Sequence, residues 1–404
     1  MNFDVNTFVK IRHDLHKNPE LGFCEDNTKS KIVKFLTEIG LEVHQGVGVV
    51  GVLKVGKGNK TIALRADMDA LPIKEKSIHD YVSNSEGIMH ACGHDGHMAM
   101  LMGAAQKLSL DRNFNGRIVF IFQPNEEHGL GAQAMIEEGL LEKFSISEIY
   151  AFHNLPGSPL GEVSTRVGQI CSSESLFEIE LNGIGGHSSM PHVSKDVIAI
   201  GSELITSLQT IISRKLSPRS GAVISVTEFI SDGQRNILAG SAVIKGDVRT
   251  KNSADRDLIE NLIDKMCQGI AIRHEIEVNH SFNTEFIETI NAQVPTDIVI
   301  QSANELALDV LPDREAMSFS EDFAHFCNRV PGCFLLLGNG ENSPNNLPLH
   351  SAYYDFNDKL ISTGILLWAK IAINSLPKRQ YIDRLSLKLA IIMKNNEMLS
   401  SVRQ

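Results

Sequence analysis

Three histidines, one cysteine and one aspartate crowd into eight positions in HACGHDGH, residues 90–97. Thiolate, imidazole and carboxylate are donors suited to zinc-like cations, and an open catalytic site combines them with a water. Further donors fall at comparable places along the chain. Asp67 and Asp69 follow an apolar run ending near Arg65, Glu126 and Glu127 follow RIVFIFQ, and His153 closes EIYAFH. Taken singly, each has a plainer explanation: His153 as a satisfied interior histidine, the glutamate pair as a solvated surface. A Cys92 nucleophile paired with a nearby histidine is another possibility. That reading leaves the acidic residues at the same rim without a role. Two ions would need a bridging anion, and a thiolate or carboxylate can serve.

These donors need elements that bring them together. Residues 25–39 place Ile32, Val33, Leu36 and Ile39 at helical spacing before Gly40. VGVVGVLKV and KTIALRADMDALP read as buried strands, followed by a helix from about Gly96 to Leu108, a strand over 117–123, a helix in GAQAMIEEGLLEKF and a strand in EIYAFHN. Strands separated by helices predict a mostly parallel sheet covered on both faces. Asp67, Asp69, Glu126, Glu127 and His153 would then share the carboxyl ends of its strands, where open α/β sheets bind ligands. Cys92 and His94, in the turn before the 96–108 helix, face the same rim.

From about Ser175 the pattern changes. SLFEIELNG, a helix over about 196–215, AVISVTEFI, SAVIKGDVRT, a helix over 255–272 and EIEVNHSFN give a β-α-β-β-α-β order, the ferredoxin-like split motif. After about Asn291 the alternation resumes, with GCFLLLG as a buried strand and LISTGILLWAKIAINSL as a closing helix. The expected architecture is an α/β domain with a mostly parallel sheet and helices on both faces, built from residues 1–174 and 290–404. A smaller ferredoxin-like α+β domain, 175–289, interrupts it.

Composition narrows the partners. The 404 residues suggest two to three domains, and the balance of 38 basic against 49 acidic residues, net −11, lacks the basic stripe of a nucleic-acid surface. A small polar partner is expected. The N-terminus is too charged for a signal peptide, and no apolar run approaches the ~18 residues of a membrane span. The chain therefore reads as cytoplasmic, and its six cysteines are too sparse for a disulfide scaffold.

The segments LRADMDALPI, HACGHDGHMAMLMGAA, FQPNEEHGLGAQAMIEEGLL, FHNLPG, GIGGHSSMPH, SEDFAHF and LHSAYYDFND resemble, in order and spacing, the amidohydrolase branch of the M20 metallopeptidases. The likeness runs from about Ile11 to Leu376. It implies a metal-dependent N-acyl-L-amino-acid amidohydrolase, of the hippurate-hydrolase or auxin-conjugate-hydrolase type, with two divalent ions (Zn, Mn, Ni or Co). A specific N-acetyldiaminopimelate deacetylase is the alternative. A noncatalytic binding protein is disfavoured because no catalytic position is missing.

By the same resemblance Cys92, His94, Glu127, His153 and His350 are metal ligands, Cys92 bridging the ions, and Glu126 is the general base. Asp69 orients a ligand, as outer carboxylates do. His187 reaches from the inserted lid domain into the partner subunit's site in a homodimer, while Asn236 and Arg249 hold the substrate's polar groups and carboxylate. The chain departs from the branch at His128, where a glycine is common, so an added imidazole would narrow the pocket or approach the metals. Ala352 stands where proline is frequent. Residues 378–404 extend past the usual end, with Leu385, Leu387, Leu389 and Ile392 spaced as in an amphipathic helix.

Overall fold

The computed structural model describes residues 3–378; the amphipathic tail expected over 378–404 lies almost wholly outside them. The larger unit opens with two helices, α1 (Val5–Lys17) and α2 (Asp26–Glu38). The first was not anticipated, although Asp4 caps it by accepting from the Asn6 N–H. Its sheet begins with β1 (Glu42–Gln45), β2 (Val49–Val55) and β3 (Thr61–Asp67), and α3 (His94–Asp111) leads to β4 (Gly116–Gln123). The segment expected as one helix over 131–144 is two, α4 (Gly131–Glu137) and α5 (Leu140–Phe144). Gly139 separates them at φ +87°, a left-handed conformation that a continuous helix does not admit. The strands β5 (Glu148–Pro156) and β6 (Val163–Ser164) follow, and β7 (Gly168–Cys171) carries the chain out of this unit.

The inserted unit comprises β8 (Glu174–Asn182), β9 (Gly186–His187), α6 (Val197–Thr210), β10 (Val223–Ser231), β11 (Ile237–Leu238), β12 (Ser241–Arg249), α7 (Ser253–His274) and β13 (Glu277–Phe286). The helix expected to continue to 215 changes to a π turn over Ile211–Lys215. An antiparallel sheet of order β10-β12-β8-β13 results, with the predicted β-α-β-β-α-β connectivity. Its inward residues Phe177, Ile179 and Leu181 pack with Leu204, Ile259 and Ile263 in a core of their own. The chain returns through β14 (Thr289–Asn291), which pairs with β7. It then forms α8 (Gln293–Glu305), β15 (Val310–Leu311), α9 (Ala324–Cys327), β16 (Gly332–Gly340) and α10 (Leu360–Ser375).

The main sheet has the order β1-β2-β4-β3-β5-β16-β6-β15. Its centre, β4-β3-β5-β16, is parallel, while β1-β2-β4 and β16-β6 are antiparallel. Strand alternation divides its side chains between two faces. Ile62, Leu64, Phe120, Tyr150 and Leu335 join the core containing Phe8, Leu36 and Leu101, whereas Ala63, Val119, Ile149 and Phe334 join Ala132, Leu140 and Phe326. Covered on both sides, the central strands are apolar almost throughout.

Two packing features fix the edge that matters for chemistry. The helix α3 is buried around most of its circumference, so its N-terminus, bearing His94, cannot rotate away from the sheet. Phe152, beside His153 in β5, stacks on Trp368 of α10 with centroids 4.2 Å apart, a contact worth about 0.5–1.5 kcal/mol beyond its burial. Among the described residues, no helix is long and apolar enough to cross a membrane.

Candidate active site

The carboxyl ends of the central strands and the start of α3 bring the sequence-predicted donors together. Cys92, His94 and His153 have ligand atoms within 4.8 Å of one another, and so do Cys92, Glu127 and His350. Cys92 belongs to both groups, so one thiol stands between two sets of donors. Its Sγ lies 3.2 Å from His153 Nε2, and His350 Nε2 is 3.4 Å from Glu127 Oε2. His350 holds φ +63°, an uncommon conformation for a non-glycine residue, and its N–H donates to Ala91 O at 2.9 Å. The loop bearing His350 is thereby tied to the residue preceding Cys92. At the other end of that turn Gly93 has φ +93°, and a Cβ there would lie 2.3 Å from Asn154 Oδ1.

The surrounding main chain decides which imidazole nitrogen is offered. His94 Nδ1 is 2.8 Å from Asp69 O, and His153 Nδ1 is 2.7 Å from Asn154 O. A carbonyl can only accept, so both Nδ1 atoms carry protons and, in the neutral rings, both Nε2 lone pairs face the shared space. Asp69 also accepts from the Glu127 N–H at 3.0 Å, so one residue braces the supports of two donors. His94 Nε2 and Glu127 Oε1 are buried without a hydrogen-bond partner, as is Asp69 Oδ1. Orphaned buried polar atoms are costly, and a cation would satisfy the first two.

The electrostatics agree. Burial disfavours a charged His94, but Asp67, Asp69 and Glu127 outweigh it and raise its pKa to about 10. Burial, with Glu127 and Glu126 close by, pushes the Cys92 thiol well above its ordinary range, while burial and His97 hold His153 well below its own. Glu126 is driven well above the usual carboxylate range by burial and by Glu321, Glu127 and Asp322, against the pull of Arg65. This is a pocket with surplus negative charge and donors that a cation would deprotonate, since a bound ion inverts these preferences.

Several participants escaped the sequence reading. Asp67 was placed at the rim but given no task; it accepts from His97 Nδ1 at 2.7 Å and from Arg65 Nη1 at 2.8 Å. His97 Nε2 contacts Asn154 Oδ1 at 2.8 Å. Arg65, fully buried, also reaches Gln123, Glu321 and Asp322 at 2.8–3.0 Å. Asp322 accepts from the Ala132 N–H at 2.9 Å. This network lies beneath Glu126 and neutralises part of its carboxylate surplus. Its signal in the sequence is a charged arginine inside an otherwise apolar strand.

The lid residues are placed differently. His187 and Asn236 are neighbours at a small two-stranded antiparallel ribbon of β9 and β11, where Ile237 pairs with His187 and the Ser188 N–H donates to Asn236 O at 3.1 Å. Both are exposed, and among the described residues neither is hydrogen-bonded to the rim. His187 Nδ1 accepts from the Ser189 N–H at 3.1 Å and lies 2.7 Å from its Oγ. Its neutral form therefore carries the proton on Nε2. Arg249 has no free fork: Nε donates to Asp247 at 2.9 Å, Nη1 to Ser320 Oγ at 2.9 Å and Nη2 to Glu174.

His128 turns to Asn125, with Nδ1 2.7 Å from Oδ1. Ala352 contributes only its carbonyl, to the Lys76 N–H at 2.8 Å, a bond that proline at the same position would also accept.

Such a rim, with two donor groups sharing a thiol beside a buried carboxyl of raised pKa, defines a metal-dependent hydrolase. Residues 63–374 match the family model described as peptidase family M20/M25/M40. The chain belongs to that family, and its chemistry is metal-dependent amide hydrolysis. It is 40% identical to hippurate hydrolase of Campylobacter jejuni over 378 residues, covering 91% of this chain and 96% of that protein. It is also 33% identical to N-acetyldiaminopimelate deacetylase of Anoxybacillus flavithermus, covering 89% and 95%. A dinuclear metal-binding M20 peptidase from Bacillus subtilis superposes with a TM-score of 0.80 at 28% identity, over 92% of this chain and 98% of its own. The donor set here fits two divalent ions.

Proposed function

We propose that this enzyme hydrolyses the amide bond of N-acyl-L-amino acids, hippurate-like or N-acetylated, releasing a carboxylic acid and a free amino acid. The observation that carries the proposal is the pair of donor groups sharing Cys92 beside Glu126; the likeness to hippurate hydrolase supports the substrate class. Cys92, His94 and His153 would hold one ion, and Cys92, Glu127 and His350 the other, drawn from Zn, Mn, Ni or Co. Bound divalent ions supply Lewis-acid polarisation of the amide carbonyl and lower the pKa of water toward ~7. Glu126 takes the proton of the attacking water and returns it to the leaving nitrogen. Asp69 keeps His94 and Glu127 in register.

His187, its proton fixed on Nε2, donates to the carbonyl oxygen as negative charge develops there. Because it stands exposed on the inserted unit, we assign it to the partner's site in a homodimer. Residues 175–289 serve as lid and contact surface, and residues 1–174 with 290–404 as the catalytic domain. Asn236 and Arg249 receive the substrate's polar groups and carboxylate. Arg249 does so by exchanging Glu174 for the substrate. Six cysteines outside any disulfide, one of them a ligand, suit the reducing cytoplasm.

One observation favours a second reading, N-acetyldiaminopimelate deacetylation. Glu174 and Asp247 already surround Arg249, leaving local negative charge suited to a substrate carrying an additional ammonium group. Steady-state rates on hippurate, N-acetyl-L-amino acids and N-acetyldiaminopimelate, with metal-stripped and reconstituted enzyme, test both. Turnover restored by divalent ions is expected, with hippurate or N-acetyl amino acids preferred. A kcat/KM for N-acetyldiaminopimelate more than tenfold higher would select the second reading, and turnover of none of the three would overturn the substrate class.

A further inference from the structure

Behind the rim, on the far side of Asp95, a second cluster of donors lies where α1 meets the 75–83 loop. His16 Nε2 is 3.3 Å and His79 Nε2 3.1 Å from the same oxygen, Glu75 Oε1, and the three ligand atoms lie within 4.8 Å of one another. We infer that His16, Glu75 and His79 form a third divalent-cation site, of two-histidine, one-carboxylate type, suited to Zn2+ and separate from the Cys92 rim.

His16 Nε2 hydrogen-bonds to Glu75 Oε1 at 3.3 Å, a spacing that two ligands of one ion can also take. Donors at ~2.0–2.2 Å from a tetrahedral zinc stand about 3.3 Å apart, which both measured separations approach. His79 supplies the independent observation. Its Nε2, although 3.1 Å from a carboxylate oxygen, is not aligned for a hydrogen bond, and Nδ1 has no partner either. A histidine placed only to pair with Glu75 would aim its N–H at the oxygen.

The supports are those a metal ligand requires. Asp95 holds His16 Nδ1 at 2.9 Å and is itself held by Arg12 at 3.2 Å. Glu75 commits Oε2 to the Ser83 N–H at 2.7 Å, which leaves Oε1 for an ion. The ring of His79 is fixed by stacking on Tyr81, with centroids 3.8 Å apart at 18°. His16 and the Glu75 side chain are buried, and the 17% exposure of the His79 side chain lies on its ring carbons, since both ring nitrogens are buried; an ion would enter by displacing this ring edge. On binding, the ion takes the place of the proton on His16 Nε2. Its effect is to brace α1 and the 75–83 loop against Asp95, the residue next to His94.

Zinc content decides the matter. Metal-stripped wild type, His79→Ala and Glu75→Gln are loaded with Zn2+, freed of excess by dialysis and analysed for metal per chain. Wild type is expected to hold one more equivalent than either variant, whatever number the rim holds, and His79→Ala should keep its activity at saturating metal within about twofold. Equal zinc in wild type and in folded variants would overturn the site. Anomalous diffraction from zinc-soaked wild-type crystals is a check that needs no variant. Density beside Glu75 Oε1 supports the site, and none there at full rim occupancy removes it.

Discussion

On the proposed function, the rim and the lid serve the same reaction with different degrees of preparation. At the rim, Cys92, His94, Glu127, His153 and His350 come from four separate segments and already converge, with His94, Glu127, His153 and His350 steadied by main chain or by Asp69. On the lid, His187 and Asn236 stand exposed, and Arg249 is occupied by Glu174 and Asp247. Metal chemistry needs donors fixed before the ion arrives, and the buried sheet edge provides that. Contacts to a substrate's changing charge need to form late, and a lid on a short two-stranded connection can bring them. The division predicts that rim substitutions abolish chemistry outright, while lid substitutions act on the transition state and depend on the second subunit.

The largest effect should fall on the base. Glu126→Gln removes the proton acceptor without removing a ligand, so metal content and Tm should stay at wild-type values while kcat drops about 10²–10⁴-fold. A variant keeping more than a tenth of wild-type kcat would move the base elsewhere and weaken the claim that the rim is complete in itself.

A smaller loss is expected at His187. Removing one donor to a developing oxyanion typically costs about 10²–10³-fold in kcat, with KM changing far less. Mixing His187→Ala with Glu126→Gln should regain activity after subunit exchange, because one site of the mixed dimer then joins an intact Glu126 to an intact His187. Exchange seen by native mass spectrometry without recovered activity would return His187 to its own chain and erase much of the contrast between rim and lid.

How much of this was legible depended on distance along the chain. The donors at strand ends could be read because alternating apolar runs locate those ends, and local spacing carries HACGHDGH. The lid's element order was legible for the same reason. What escaped was long-range polar pairing, which has no period. Arg65 meets Asp322 across 257 positions and Arg12 meets Asp355 across 343. Nothing near Arg249 announces that Glu174, 75 positions earlier, would take its fork. The split of the 131–144 helix turned on one backbone angle at Gly139, where the apolar pattern runs on uninterrupted. His128 drew notice as an added imidazole at the rim, yet its ring is committed to Asn125.

The central claim is that Cys92 joins two ions into one centre, and electron paramagnetic resonance of the Mn2+-loaded enzyme tests it most directly. Wild type should show the exchange-coupled signal of two neighbouring manganese ions, and Cys92→Ala, still folded, should lose that coupling together with activity. A wild-type spectrum containing only isolated Mn2+, or a coupled signal unchanged in Cys92→Ala, would contradict the account.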